Sequence, residues 1–157
     1  IKNLETGEVE IREGKNVVVE DCSRVIAGLM KGVTGFGGAL YWAVGSGSDS
    51  WSNDNPPLPS ETDEGLVNEA YRKSIASNDI VFLDSNGNEV EEVTSTIQIT
   101  IKFTSSEANG ELREFGIYGG DATDTLDSGI MINHKIHPLI YKTDNIELER
   151  ILRLSFL

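Results

Sequence analysis

At 157 residues the chain is long enough to bury roughly two thirds of the surface its unfolded form exposes, so its core needs no metal or disulfide staple. The single cysteine, Cys22, excludes a disulfide scaffold, and the 38% apolar content with 16 glycines and frequent Asp, Asn, Ser and Thr points to many short elements, strands rather than long helices. A net charge of −13, with no basic run beyond the pair Arg72-Lys73, argues against nucleic acid or an anionic membrane as a partner, and no stretch approaches the roughly 20 apolar residues of a membrane helix.

Residues 1–20 alternate loosely through Val9, Ile11 and Val17 to Val19 and read as an arm or two short strands. The chain begins at Ile1 without methionine, so whether residues precede it stays open. One domain, 21–157, is expected to follow. It opens on a helix at about 21–33, with Asp21 or Ser23 as N-cap and Gly32 or Gly35 as the stop. Val25, Ile26, Leu29, Met30 and Val33 recur at helical spacing and are read as a stripe facing the core. Ala39 to Val44 suits a buried strand. Gly45 to Asp63 is a long Pro-, Gly- and Ser-rich loop with Trp51 at its centre, and a loop of that length inside a compact domain is usually functional. A short helical turn at Thr62 to Glu64 is expected to carry Leu66 and Val67 inward.

Strand patterns follow at Tyr71 to Ile75 and Ile80 to Leu83, with Asn86-Gly87 as a type I′ hairpin turn. Thr94 to Phe103 alternates most cleanly, with Ile97, Ile99, Ile101 and Phe103 on one face. Strands are also expected at Leu112 to Tyr118, Ile130 to Ile136, Leu139 to Tyr141 after Pro138, and Ile146 to Leu157. The sum is a mainly β fold, an antiparallel β-sandwich or partly closed barrel with one N-terminal α-helix.

The chemistry-bearing residues do not assemble into a known motif. His134 and His137 lie three apart on a strand and so face opposite sides, which disfavours a shared metal; the reading is one solvent histidine and one capping the turn at Pro138. Asp84 to Asn88 fails the calcium-loop pattern because Glu89 stands sixth and Ser95 twelfth. Asp121, Asp124 and Asp127 share a loop that could gather calcium. Glu111 and Glu114, also three apart, do not pair as the acid and base of a glycosidase. Cys22 at a helix start invites a lowered pKa, although a buried, inert thiol is the commoner case. No cofactor, metal or catalytic residue is assigned. Arg113 is expected to be salt-bridged to Glu69 or Glu107. Trp51 and Tyr118 are the candidate ligand or partner contacts, since an aromatic on a loop stacks on sugars or plugs a partner's pocket.

Several segments in fixed order resemble a known group. Ala43 to Gly47 is followed by the Trp-, Asn- and Pro-rich loop, then Asp63 to Leu66 and Asn68 to Lys73. Later come Phe103, Ser106 to Gly120, Ser128 to Asn133, His137-Pro138, Lys142-Thr143 and Leu148 to Leu154. Over about residues 16–157 this order resembles tailed-bacteriophage and prophage virion proteins of the tail and tail-fibre type. The resemblance implies a non-enzymatic structural part of a virion, located in the particle, with other virion proteins and further copies of itself as partners. It transfers no catalytic residue. The alternative is a carbohydrate-binding or host-receptor-binding module presenting Trp51 and Tyr118 to a host surface glycan; a cell-wall hydrolase is the weakest reading, for want of a carboxylate pair.

Overall fold

A computed structural model describes residues 1–156. The chain forms two five-stranded antiparallel sheets and one α-helix, with one sheet curled into a half-barrel, and so fits the β-sandwich with a single helix expected from its sequence. In chain order the elements are β1 (Lys2–Asn3), β2 (Val17–Val18), α1 (Cys22–Lys31), β3 (Gly37–Gly45), β4 (Glu69–Ser74), a 3-10 turn (Ser77–Asp79), β5 (Ile80–Leu83), β6 (Glu89–Val90), β7 (Thr96–Phe103), β8 (Gly110–Gly120), β9 (Ile130–Lys142) and β10 (Ile146–Ser155). One sheet runs β1-β10-β7-β5-β6 and the other β2-β9-β8-β3-β4. The arm of residues 1–20 thus adds an edge strand to each sheet, β1 beside β10 and β2 beside β9.

Alternation decides which side chains fill the space between the sheets. Ile99, Ile101 and Phe103 of β7 and Leu148, Leu152 and Leu154 of β10 meet Trp42 and Val44 of β3 and Phe115 and Ile117 of β8. Trp42 stacks on Phe115 with ring centroids 4.9 Å apart, and Tyr71 meets Phe103 edge-on. Each of these large buried side chains contributes roughly 2–5 kcal/mol, as judged by typical truncation costs.

The central strand β8 does not alternate: every residue from Leu112 to Gly120 is buried. Its second face lies beneath residues 46–68. A smaller apolar layer of Val19, Ala43, Leu66, Tyr118 and Met131 fills that outer side. The long loop is therefore a strap laid over the half-barrel.

Several expectations are corrected at this level. The helix ends at Gly32 in the left-handed conformation, as its glycine implies, but Asp21 occupies the N-cap without a side-chain bond, and Ser23 Oγ instead donates to the Glu20 carbonyl. Of the apolar stripe only Val25 is buried, together with Cys22; Ile26, Leu29, Met30 and Val33 are exposed, because the helix lies at the end of the sheet with that stripe turned outward. Residues 62–64 form no helical turn, and of the pair they were to carry inward Leu66 is buried while Val67 is exposed. The 84–88 turn is not type I′, since Asn86 lacks the positive φ that type requires and only Gly87 has it. Asp84 Oδ1 accepts from the amides of Asn86 and Asn88 and fixes this alternative turn. Finally, β9 runs unbroken through Pro138, which the ladder tolerates because three residues, His137 to Leu139, bulge opposite the single residue Arg113.

Candidate functional site

The strap is held by buried polar side chains that rise from β8 and β9 and take up its backbone groups. Glu114, fully buried on β8, accepts the Val67 amide at 3.0 Å on Oε2 and the Asn68 amide at 2.9 Å on Oε1. Tyr118, four residues on and on the same face, accepts the Leu66 amide at 3.0 Å on its hydroxyl. A buried carboxylate needs several donors to offset its lost hydration, and three consecutive strap amides need acceptors; each set satisfies the other. Gly45 permits the close approach, because a Cβ there would stand 2.5 Å from the Asn68 carbonyl and 2.7 Å from Glu114 Oε1.

His134 of β9 completes the arrangement. Its Nε2 lies 2.9 Å from Glu114 Oε2 and its Nδ1 lies 2.7 Å from Asp63 Oδ2. Both ring nitrogens face carboxylates, so the imidazolium, which donates from both, is the form that satisfies the geometry. Burial opposes the charge, but the hydrogen bonds and fields of Glu114 and Asp63 outweigh it and raise the pKa above the ordinary histidine value. Asp63, partly exposed at the strap end, also accepts the Ser60 amide.

At the other end of the strap, Arg113 donates to the Ser46 carbonyl at 3.0 Å and pairs with Glu111 at 3.0 Å, with Asp49 and Asn53 at longer range. This corrects its expected partners. Glu69 is taken by Arg72, and Glu107 by Lys73 at 2.7 Å. A register shift between Val44 and Gly45 turns the start of β4, so that Glu69 and Arg72 meet at 2.7 Å although they are three apart on a strand.

Arg72 also reaches the loop 121–128. Its Nη1 donates to the carbonyls of Thr123 and Ser128 and to Ser128 Oγ, while its guanidinium stacks 4.7 Å from the Tyr118 ring centre. The guanidinium thus holds the loop oxygens that an inward-facing calcium ion would require, and Asp121, Asp124 and Asp127 are exposed. Among the described residues no group of three or more His, Cys, Asp or Glu side chains is arranged to hold a metal ion.

The other sequence candidates are distributed as follows. Both histidines are buried, which corrects the reading of one as a solvent residue. They do face opposite sides: His137 turns into the sandwich, receives a bond from Arg150 Nη2 on Nε2 at 3.0 Å, and donates from Nδ1 to the Pro138 carbonyl at 2.8 Å. Burial, aided by the Arg150 charge, pushes its pKa down to about 3, so this ring stays neutral. Cys22 is buried and its thiol pKa is raised by that burial, which overrides the helix-start effect. Tyr118 is buried, its phenol pushed up to about 12 chiefly by desolvation, and its face is covered by Arg72; it does not present an open ring to a ligand. Trp51 is half-buried and folds back on Gly47, where a Cβ would stand 2.2 Å from its ring. The structure brings Tyr118 to the strap network and leaves Trp51 outside it. Sequence reasoning missed Glu114, His134 and Asp63 as one unit. The signal available was an ionisable residue on each of two neighbouring strands, both at positions otherwise reading as core.

Neither a scan of protein-family models nor a search of curated proteins finds a match for this chain. Among the described residues no helix is long and apolar enough to cross a membrane.

Proposed function

We propose that the chain is a structural component of a tailed-phage or prophage virion, of the tail, fibre-attachment, neck or head-surface kind, acting through protein contacts and not through catalysis. One observation carries the reading beyond the resemblance of its segments: the apolar stripe of α1 lies open on the surface while the chemistry-bearing residues hold the strap in place. Exposed apolar stripes of this kind mark association surfaces. The locked strap gives such a part a rigid wall, since every bend of its last residues, 63–68, is fixed by a bond to β8 or β9. Peptide mass spectrometry of gradient-purified particles from the organism that encodes the chain tests this. The reading expects the chain at a constant ratio to the major capsid protein; its loss from particles during purification, while present in the lysate, would sink it.

A further inference from the structure

Helix α1 has only Cys22 and Val25 buried among its ten residues. Met30 is 85% exposed, and Ile26, Leu29 and Val33 are each close to half exposed, at the spacing of one continuous helical stripe. Beside it lies a hollow of about 510 Å³, lined in part by Arg24, Val33, Phe36, Asp121 and Ile130. The stripe is framed by positive charge alone: the helix carries Arg24 and Lys31 and no acidic residue. Arg24 reaches only Asp21, at 3.6 Å, and remains largely exposed. In a chain of net charge −13 this is an unusual face.

A surface of opposite character exists on the other sheet. Residues 74–101 contain Asp79, Asp84, Glu89, Glu91 and Glu92 and not one Lys or Arg. Around β6, the outermost strand of the β1-β10-β7-β5-β6 sheet, Glu89, Glu91 and Glu92 are exposed, and Val93 beside them is 84% exposed. One face is thus apolar with a basic frame and the other apolar with an acidic frame. They lie on different sheets and both are open, so neither covers the other within one chain.

We infer that α1 of one copy docks on the Glu89–Val93 edge of a second copy, giving a head-to-tail contact between identical chains. This inference rests on the reading of the chain as an assembly part. A contact between two different patches of the same molecule repeats, and it generates a ring if the rotation closes or a filament if it does not. Charge complementarity selects the partner, since the acidic edge rejects another acidic edge, and two basic-framed helices gain no ion pair from each other.

The test uses purified full chain and two variants, Met30→Glu on the helix and Glu91→Lys/Glu92→Lys on the edge. All three positions are exposed, so the fold tolerates them, and unchanged melting curves verify this. Mass is measured by light scattering after size exclusion at concentrations up to about 1 mM, the weak end of specific association. The native chain is expected above its monomer mass of 17.1 kDa, falling toward it as salt rises. Each variant alone is expected at monomer mass. An equimolar mixture of the two is expected at twice that mass and no higher, because Met30→Glu keeps a working edge and the edge variant keeps a working helix. A native chain that stays monomeric would overturn the inference, as would variants that assemble alone or a mixture that stays monomeric. Presence of the chain in particles is read separately, so failure of the contact and failure of the virion reading remain distinguishable.

Discussion

Glu114 on β8 and His134 on β9 face each other at 2.9 Å, both essentially closed to solvent, with Asp63 of the strap closing the far side of the imidazole at 2.7 Å. The pair ties a loop of more than twenty residues to the middle of a sheet. Removing one member of a buried charged pair leaves the other without compensation, which typically costs about 3–5 kcal/mol.

Glu114→Ala strands both the His134 charge and the amides of Val67 and Asn68. A loss of about 3–5 kcal/mol is expected in denaturant unfolding, with the larger part surviving in Glu114→Gln because the charge is lost there too. Unfolding curves superimposable on the native one would contradict the geometry.

The two histidines give stability a pH profile with opposite slopes. His134 is raised in the fold, so its contribution is complete below the unfolded value of about 6.5 and is lost as pH rises through its folded pKa. His137 is depressed to about 3, so its contribution is complete above about 6.5 and is lost as pH falls toward 3. Melting temperature measured from pH 4 to 9 is expected to peak between these limbs. His134→Gln should flatten the alkaline limb alone, and His137→Asn the acid limb alone.

Arg113→Ala removes the bond to the Ser46 carbonyl and the partner of Glu111. The expected loss is about 1.5–3 kcal/mol, the range for a hydrogen bond from a charged group. Limited proteolysis should then cut first within residues 46–53, where the strap leaves β3. Cleavage elsewhere at an unchanged rate would show that Arg113 does not pin that end.

Arg72→Lys keeps the charge and loses the planar fork that bonds Glu69 through two nitrogens while reaching the Thr123 and Ser128 carbonyls. A lysine satisfies one of these at a time. Faster amide hydrogen exchange is expected at Thr123 and Asp127, whose amides bond to Ser128 Oγ and Glu69 Oε2, with β7 and β10 unaffected.

Much of the fold is legible because its signal is local. The alternation of Ile97, Ile99, Ile101 and Phe103, the apolar run at 39–44 and the glycine at 32 each determine their own element. The site is not legible because its partners are distant: Glu114 meets Val67, Asn68 and His134 only once β3, β8 and β9 are in register. Bulges add a second obstacle. The shift at Val44 and Gly45 turns Glu69 toward Arg72, and the extra residues at His137 to Leu139 make one strand of two expected pieces. Periodicity also marks the apolar face of α1 without saying which way it points, and it points outward.

Immunogold labelling of intact particles, with antibody raised against this chain, tests the assembly reading most directly. The account predicts gold at one fixed position on each particle, whether tail tip, tube, neck or head surface. Particles that carry no gold, from a preparation in which the antibody detects the denatured chain in the producing cells, would contradict it.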